Sequence, residues 1–155
     1  MDIGCYCISF ARYLFEKEPK KVVSNMNFDP KMGIDQLTTA QMDFSGGQIA
    51  TFTCSTKLMP YQRVQVLGEK GHIEIEIPVN APPDEVIHVW LRTPKKTEEI
   101  SISPVDQYTL QGDAFALSIL ENKNVVPSIE DTIGNMKVID AVKMSAQTKA
   151  WVEIE

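Results

Sequence analysis

The stretch Ile34 to Ser55 decides the fold. It runs from Ile34 to Phe44, turns through Ser45-Gly46-Gly47, and returns from Gln48 to Ser55. On the return, Ala50, Phe52 and Cys54 alternate with Ile49, Thr51 and Thr53. Alternation with period two on either side of paired glycines is the signature of a β-hairpin, because a tight reversal needs residues that accept positive φ.

The pattern recurs outward from this hairpin. Lys21 to Phe28 reads as a preceding strand with Val22, Ser24, Met26 and Phe28 on one face. Arg63 to Leu67 and His72 to Ile77 flank Gly68-Glu69-Lys70-Gly71 as a second hairpin. In its second arm His72, Glu74 and Glu76 alternate with Ile73, Ile75 and Ile77, so one face is buried and the other is polar. Glu85 to Arg92 and Glu99 to Ser103 read as two more strands, and Ala150 to Glu155 as a last one.

Three segments have helical character. Ile3 to Phe15 is the first, with Glu18-Pro19 as its terminator. Tyr108 to Glu121 is the second. Ser128 to Gln147 is the third, opened by Ser128-x-x-Asp131, a capping-box variant. Strands that cluster rather than alternate with helices predict an α+β domain. Its sheet is open, largely antiparallel and of about eight strands, with helices packed on one face. The other face, carrying Val, Ile and Trp90, is expected to meet a partner.

A chain of 155 residues suits a single domain, 1–155, with its own core. The net charge of −6 disfavours nucleic acid and anionic membrane as partners. No apolar run approaches the ~20 residues of a membrane span, and no signal-peptide layout opens the chain, so the expected setting is cytoplasmic. Cys5, Cys7 and Cys54 read as buried free thiols rather than a zinc or disulfide framework. His72 and His88, in different strands, read as sheet-surface residues. Neither G-x-G-x-x-G nor G-x-x-x-x-G-K-[ST] occurs, so no dinucleotide phosphate loop is visible.

The first helix carries the chemistry. Asp2 and Tyr6 lie four apart, and three- and four-residue steps extend that stripe to Ser9 and Tyr13. The opposite stripe, Cys5, Ile8, Ala11 and Phe15, is apolar. A phenol acts as acid or base only when a neighbouring charge tunes its pKa from ~10. On spacing alone the pair reads as an N-cap and a packed aromatic before it reads as catalytic.

In context, Asp2-Ile3-Gly4-Cys5-Tyr6 through Ser9, Arg12, Tyr13 and Leu14 resembles the opening of the C-terminal domain in the glucose-fructose oxidoreductase/inositol dehydrogenase/MocA (Gfo/Idh/MocA) family. Further similar stretches are Phe44 to Ser55, Val64 to Ile75, Gln111-Gly112-Asp113 to Asn122, and Glu130-Asp131 with Asn135 to Ala141. The resemblance implies the substrate-binding and oligomerisation domain of an NAD- or NADP-dependent oxidoreductase acting on a sugar, polyol or related hydroxyl compound. The Rossmann domain, with its catalytic lysine, is absent from this chain, which is therefore expected to be inactive alone: an excised domain, a truncated product or half of a split enzyme. The resemblance makes Tyr6 and Asp2 the catalytic candidates and implies a homo-oligomer formed through the sheet face. Ser9 stands where many relatives have Asn or Asp. Ser9, Arg12 and Tyr13 are candidate substrate contacts, as are Lys57 and Arg63 near the Thr56 to Gln62 loop; Arg12 also reads as a helix brace. Lys17, in Glu16-Lys17-Glu18-Pro19, is not read as the catalytic lysine. The competing reading is a non-catalytic dimerisation or ligand-binding module.

Overall fold

The computed structural model describes residues 1–154. The elements in chain order are α1 (Gly4–Phe15), β1 (Pro19–Phe28), β2 (Asp35–Phe44), β3 (Ile49–Ser55), β4 (Val64–Gly68), β5 (Gly71–Ile75), β6 (Ile87–Arg92), β7 (Thr97–Ile102), α2 (Gln107–Leu120), α3 (Ile129–Thr148) and β8 (Val152–Glu153). Every strand pair is antiparallel, so the α+β, hairpin-built expectation stands. The eight strands divide between two four-stranded sheets, β3-β2-β1-β8 and β4-β5-β6-β7. The segment between β3 and β4, with Pro60 in it, is too long for a hairpin, and these two strands do not pair. The final strand is shorter than the alternation predicts, and Glu155 lies outside the described residues.

The chain forms two compact units, Met1–Leu58 with the segment from Pro127 onward, and Met59–Val126. In the first unit, α1 and α3 cover one face of β3-β2-β1-β8. Ile8 and Ala11 of α1 and Val138, Ala141 and Val142 of α3 join Val22, Met26, Ala40, Met42 and Phe44 in one core. Phe15 closes it edge-on against Phe44, with ring centroids 4.8 Å apart. Ser145 is fully buried and fully used. Its Oγ accepts from the Ser24 amide at 2.9 Å and donates to the Ala150 carbonyl at 2.7 Å. The other face carries exposed Asn25, Thr39, Thr51 and Thr53, with Ile49 exposed beside them.

α1 ends at Phe15, where the sequence places its end, although the stop is not the proline itself. Glu16 adopts the left-handed conformation (φ 50°) and stops the helix, whereas Pro19 is buried and opens β1 opposite Phe44. Between β2 and β3, Gly46 and Gly47 hold φ of 90° and 83°, and Lys17 Nζ clamps the turn through the Ser45 carbonyl (3.2 Å) and Gln48 Oε1 (3.1 Å). α3 is capped as predicted, with Ser128 Oγ accepting from the Asp131 amide.

In the second unit the register places Val64, Ile75, Val89 and Ile100 in one row, and Val66, Ile73 and Leu91 in the next. These form an apolar face. Trp90 does not belong to it: it pairs across from Glu74 and Glu99 on the charged face, a correction to the expected grouping of Trp90 with Val and Ile. There His88 stacks on Trp90 (5.8 Å) and its Nδ1 lies 2.8 Å from Glu99. α2 is capped by Asp106, which accepts from the Tyr108 amide, and none of its residues is buried. Among the described residues no helix is long and apolar enough to cross a membrane.

Candidate functional site

The local sequence sets which side of α1 is available. Gly4, Ile8, Ala11 and Arg12 are buried, while Asp2, Tyr6, Ser9 and Tyr13 are exposed along the other side. The structure thus brings four of the seven candidate residues onto one surface. Tyr6 is 47% exposed and Tyr13 78%, so the phenol of Tyr6 rests partly on the helix while Tyr13 projects. Asp2 is not an N-cap. That position is Ile3, which makes no side-chain cap, and Asp2 contributes only its carbonyl, accepting from Cys5 Sγ at 2.9 Å. Its carboxylate has no hydrogen-bond or ion-pair partner among the described residues, which leaves it available to a bound molecule.

Arg12 is placed otherwise. It is 5% exposed, the one buried charged side chain among the described residues. Its Nε and Nη2 fork onto Glu18 at 2.7 and 2.6 Å, Nη2 lies 3.0 Å from Asp131, and Nη1 reaches Asn135 Oδ1 at 3.4 Å. The hydrogen bonds to Glu18, reinforced by the two carboxylate charges, raise its pKa further above the usual arginine range. With the guanidinium occupied in this way, Arg12 is a brace between α1 and α3, and its substrate-contact reading is not carried forward. Gly134 makes the brace possible: a Cβ there would stand 2.6 Å from Arg12 Nη2.

Lys57 and Arg63 come from segments other than α1. Lys57 follows β3 and is exposed, and its charge helps hold the Asp29 carboxyl low, although amide donation from Met32 and Lys31 does more. Arg63 belongs to the second unit. It pairs with Glu74 at 3.2 Å and lies 5.6 Å over Trp90 and 6.0 Å over Tyr61. The reading of the sequence did not single out Tyr61, which is 77% exposed; an aromatic two residues from Arg63 was its only local signal.

Burial pushes the Cys54 thiol up to about 11 and raises that of Cys7. Both stay protonated at neutral pH and are poor nucleophiles. All three cysteines are free. Among the described residues no group of three or more His, Cys, Asp or Glu gathers in a metal-binding arrangement.

The profile of the family described as "Oxidoreductase family, C-terminal alpha/beta domain" matches residues 1–154. The chain belongs to this Gfo/Idh/MocA oxidoreductase family, as its C-terminal domain. A Rhizobium meliloti protein named "Uncharacterized oxidoreductase ORF334" is 34% identical over 97% of the chain and 46% of its own length. D-xylose 1-dehydrogenase (NADP(+)) 2 of Haloferax volcanii is 26% identical over 100% of the chain and 47% of its own length. Among solved structures, aldose-aldose oxidoreductase from Caulobacter crescentus, complexed with glycerol, superposes with a TM-score of 0.84 at 22% identity, covering 97% of this chain and 46% of that one. KijD10, a 3-ketoreductase from Actinomadura kijaniata in complex with TDP-benzene and NADP, gives 0.85 at 19% identity, covering 93% and 46%. These likenesses establish the fold. The chain spans about half the length of the relatives it matches.

Proposed function

We propose that this chain is the substrate-side half of an NAD(P)-dependent oxidoreductase acting on a sugar, polyol or related hydroxyl compound. The observation that carries this reading is the exposed stripe Asp2, Tyr6, Ser9, Tyr13 on a helix whose other side is fixed in the core. The named relatives, a xylose dehydrogenase and an aldose-aldose oxidoreductase, supply the substrate class. The positive-φ glycines Gly33, Gly46, Gly47 and Gly71 serve turns and strand starts, and none opens a helix. In this reading the dinucleotide is held by the Rossmann half of the full-length enzyme, and two of the relatives carry NADP in their names.

The cofactor's chemistry in such enzymes is hydride exchange at the nicotinamide C4. This chain's part is the proton. Tyr6 takes the proton from the substrate hydroxyl during oxidation and returns it to the carbonyl oxygen during reduction, so the C–O oxygen never carries a full charge unaided. Asp2 orients substrate. Ser9 and Tyr13 contact neighbouring hydroxyls. The apolar face of the second unit, with Ile73, Ile100 and Ile102 open to solvent, favours a homo-oligomer; a module serving assembly alone is the second reading. Three free thiols suit a cytoplasmic setting.

Two measurements test this. Titrating the 155-residue chain with NADH and NADPH, followed by nicotinamide fluorescence, is expected to show no saturable binding. In the full-length enzyme, Tyr6→Phe is expected to lower kcat by about 10²–10⁴-fold with the melting temperature unchanged. An unchanged kcat overturns the role given to Tyr6.

A further inference from the structure

Arg12, Gly134 and Asn135 form an arrangement that core packing does not require. We infer that the Arg12–Asn135 link is a positioning device for Tyr6, an inference that rests on the reading of Tyr6 given above. Asn135 touches α1 at two heights. Its Oδ1 accepts from Arg12 Nη1 at 3.4 Å, and its Nδ2 donates to the Cys5 carbonyl at 3.3 Å. Cys5 is the residue before Tyr6. One side chain of α3 thus holds the peptide beside Tyr6 and, through Arg12, the helix nearly two turns further on.

Arg12 points about 120° around the helix from Tyr6, since six residues turn roughly 600°. It cannot share a ligand with Tyr6, but it can set the roll of α1. A tyrosine hydroxyl stands roughly 9 Å from its helix axis, so a roll of about 10° carries it some ~1.5 Å. Displacements of that order separate a productive proton transfer from an unproductive one. An ion pair whose carboxylates are about half exposed is a poor source of stability, and the best-attested use of a charge held in a core is to fix register. The fork on Glu18 and the approach of Asp131 hold Arg12 in one pose, and the missing Cβ at Gly134 leaves room for it.

A kinetic cycle in the full-length enzyme separates positioning from plain support. Asn135→Ala and Arg12→Lys are each made alone and with Tyr6→Phe, and hydride transfer is followed at 340 nm with NADP⁺ and D-xylose. Each single variant is expected to lose about 10–100-fold in kcat with little change in KM, and no further loss is expected on the Tyr6→Phe background. Additive losses overturn the inference while leaving Tyr6 as the acid/base. A Tyr6→Phe enzyme of unchanged kcat overturns both. Asn135→Ala leaves the Arg12–Glu18 fork in place and serves if Arg12→Lys does not fold. If the unsubstituted enzyme does not turn over D-xylose, 19F NMR of the 3-fluorotyrosine-labelled protein decides. Asn135→Ala is then expected to shift or broaden the position 6 resonance and leave those of Tyr61 and Tyr108 in place, and an unmoved position 6 resonance overturns the inference.

Discussion

Gly134→Ala should destabilise this protein, although the same change in most helices does the opposite. Gly134 lies inside α3, where replacing glycine by alanine ordinarily gains up to about 1 kcal/mol. Here the new methyl would fall 2.6 Å from Arg12 Nη2, 3.1 Å from Glu18 Oε1 and 3.3 Å from Arg12 Cζ. The guanidinium must retreat by most of an ångström, which loosens its contacts to Glu18 and Asp131 together. A charge-assisted hydrogen bond contributes about 1.5–3 kcal/mol. Glu18 and Asp131 are 58% and 46% exposed, so water screens much of that. Taking about 1 kcal/mol for each of three weakened contacts, less the helical gain, leaves a net loss near 2 kcal/mol. In a chain of this size that lowers the melting temperature by about 4–8 °C. Gly112→Ala in α2 is the control, because no atom lies within 4 Å of a Cβ there; it should stabilise by a few tenths to about 1 kcal/mol. Urea unfolding followed by circular dichroism reads both. If Gly134→Ala raises the midpoint as Gly112→Ala does, the guanidinium is mobile and the account of a fixed brace fails.

Other outcomes follow from single side chains. Ser145→Ala removes the partner of the Ser24 amide and the Ala150 carbonyl and should cost about 1–3 kcal/mol in urea unfolding; a neutral change would mean that water replaces the hydroxyl. Cys54 is held protonated in the folded state, so the unfolded state loses its proton first. Stability should therefore fall between the ordinary thiol value of 9.0 and about 11, by at most ~2–3 kcal/mol, as read from urea midpoints at pH 7.5 and 10; Cys54→Ala should flatten that slope. Lys17→Ala removes only the exposed clamp on the Ser45–Gln48 turn and should leave full-length activity unchanged. A large fall in kcat would give Lys17 a chemical role that its position does not suggest.

The secondary structure was legible because it is local. The alternation around Gly46-Gly47, the Ser128-x-x-Asp131 cap and the two-sided α1 each announce themselves within a dozen residues, and each element forms within a few residues of its expected bounds. The face of Trp90 was misjudged because alternation within β6 shows which residues share a side, but not which side the neighbouring strands present; register with Glu74 and Glu99 decides that. The exposed stripe was likewise legible from spacing. The buried Arg12 network was not. Its partners in α3 lie more than a hundred residues along the chain, at separations of 123 for Arg12–Asn135 and 130 for Asn135–Cys5. A glycine inside a helix gives no hint of whose side chain needs the room.

Those separations also bear on how the domain tolerates change. The second unit, Met59–Val126, is an insertion between β3 and α3 of the first. α1 is held by α3 and by the core that α3 completes, so the first unit is assembled from the two ends of the chain. α1 reaches its anchored state only once the segment from Pro127 onward has packed, because Asn135, Asp131 and the buried valines all come from there. Asp131 and Asn135 lie in the first two turns of α3, far from α1 in sequence, yet they hold its Arg12 and its Cys5 carbonyl.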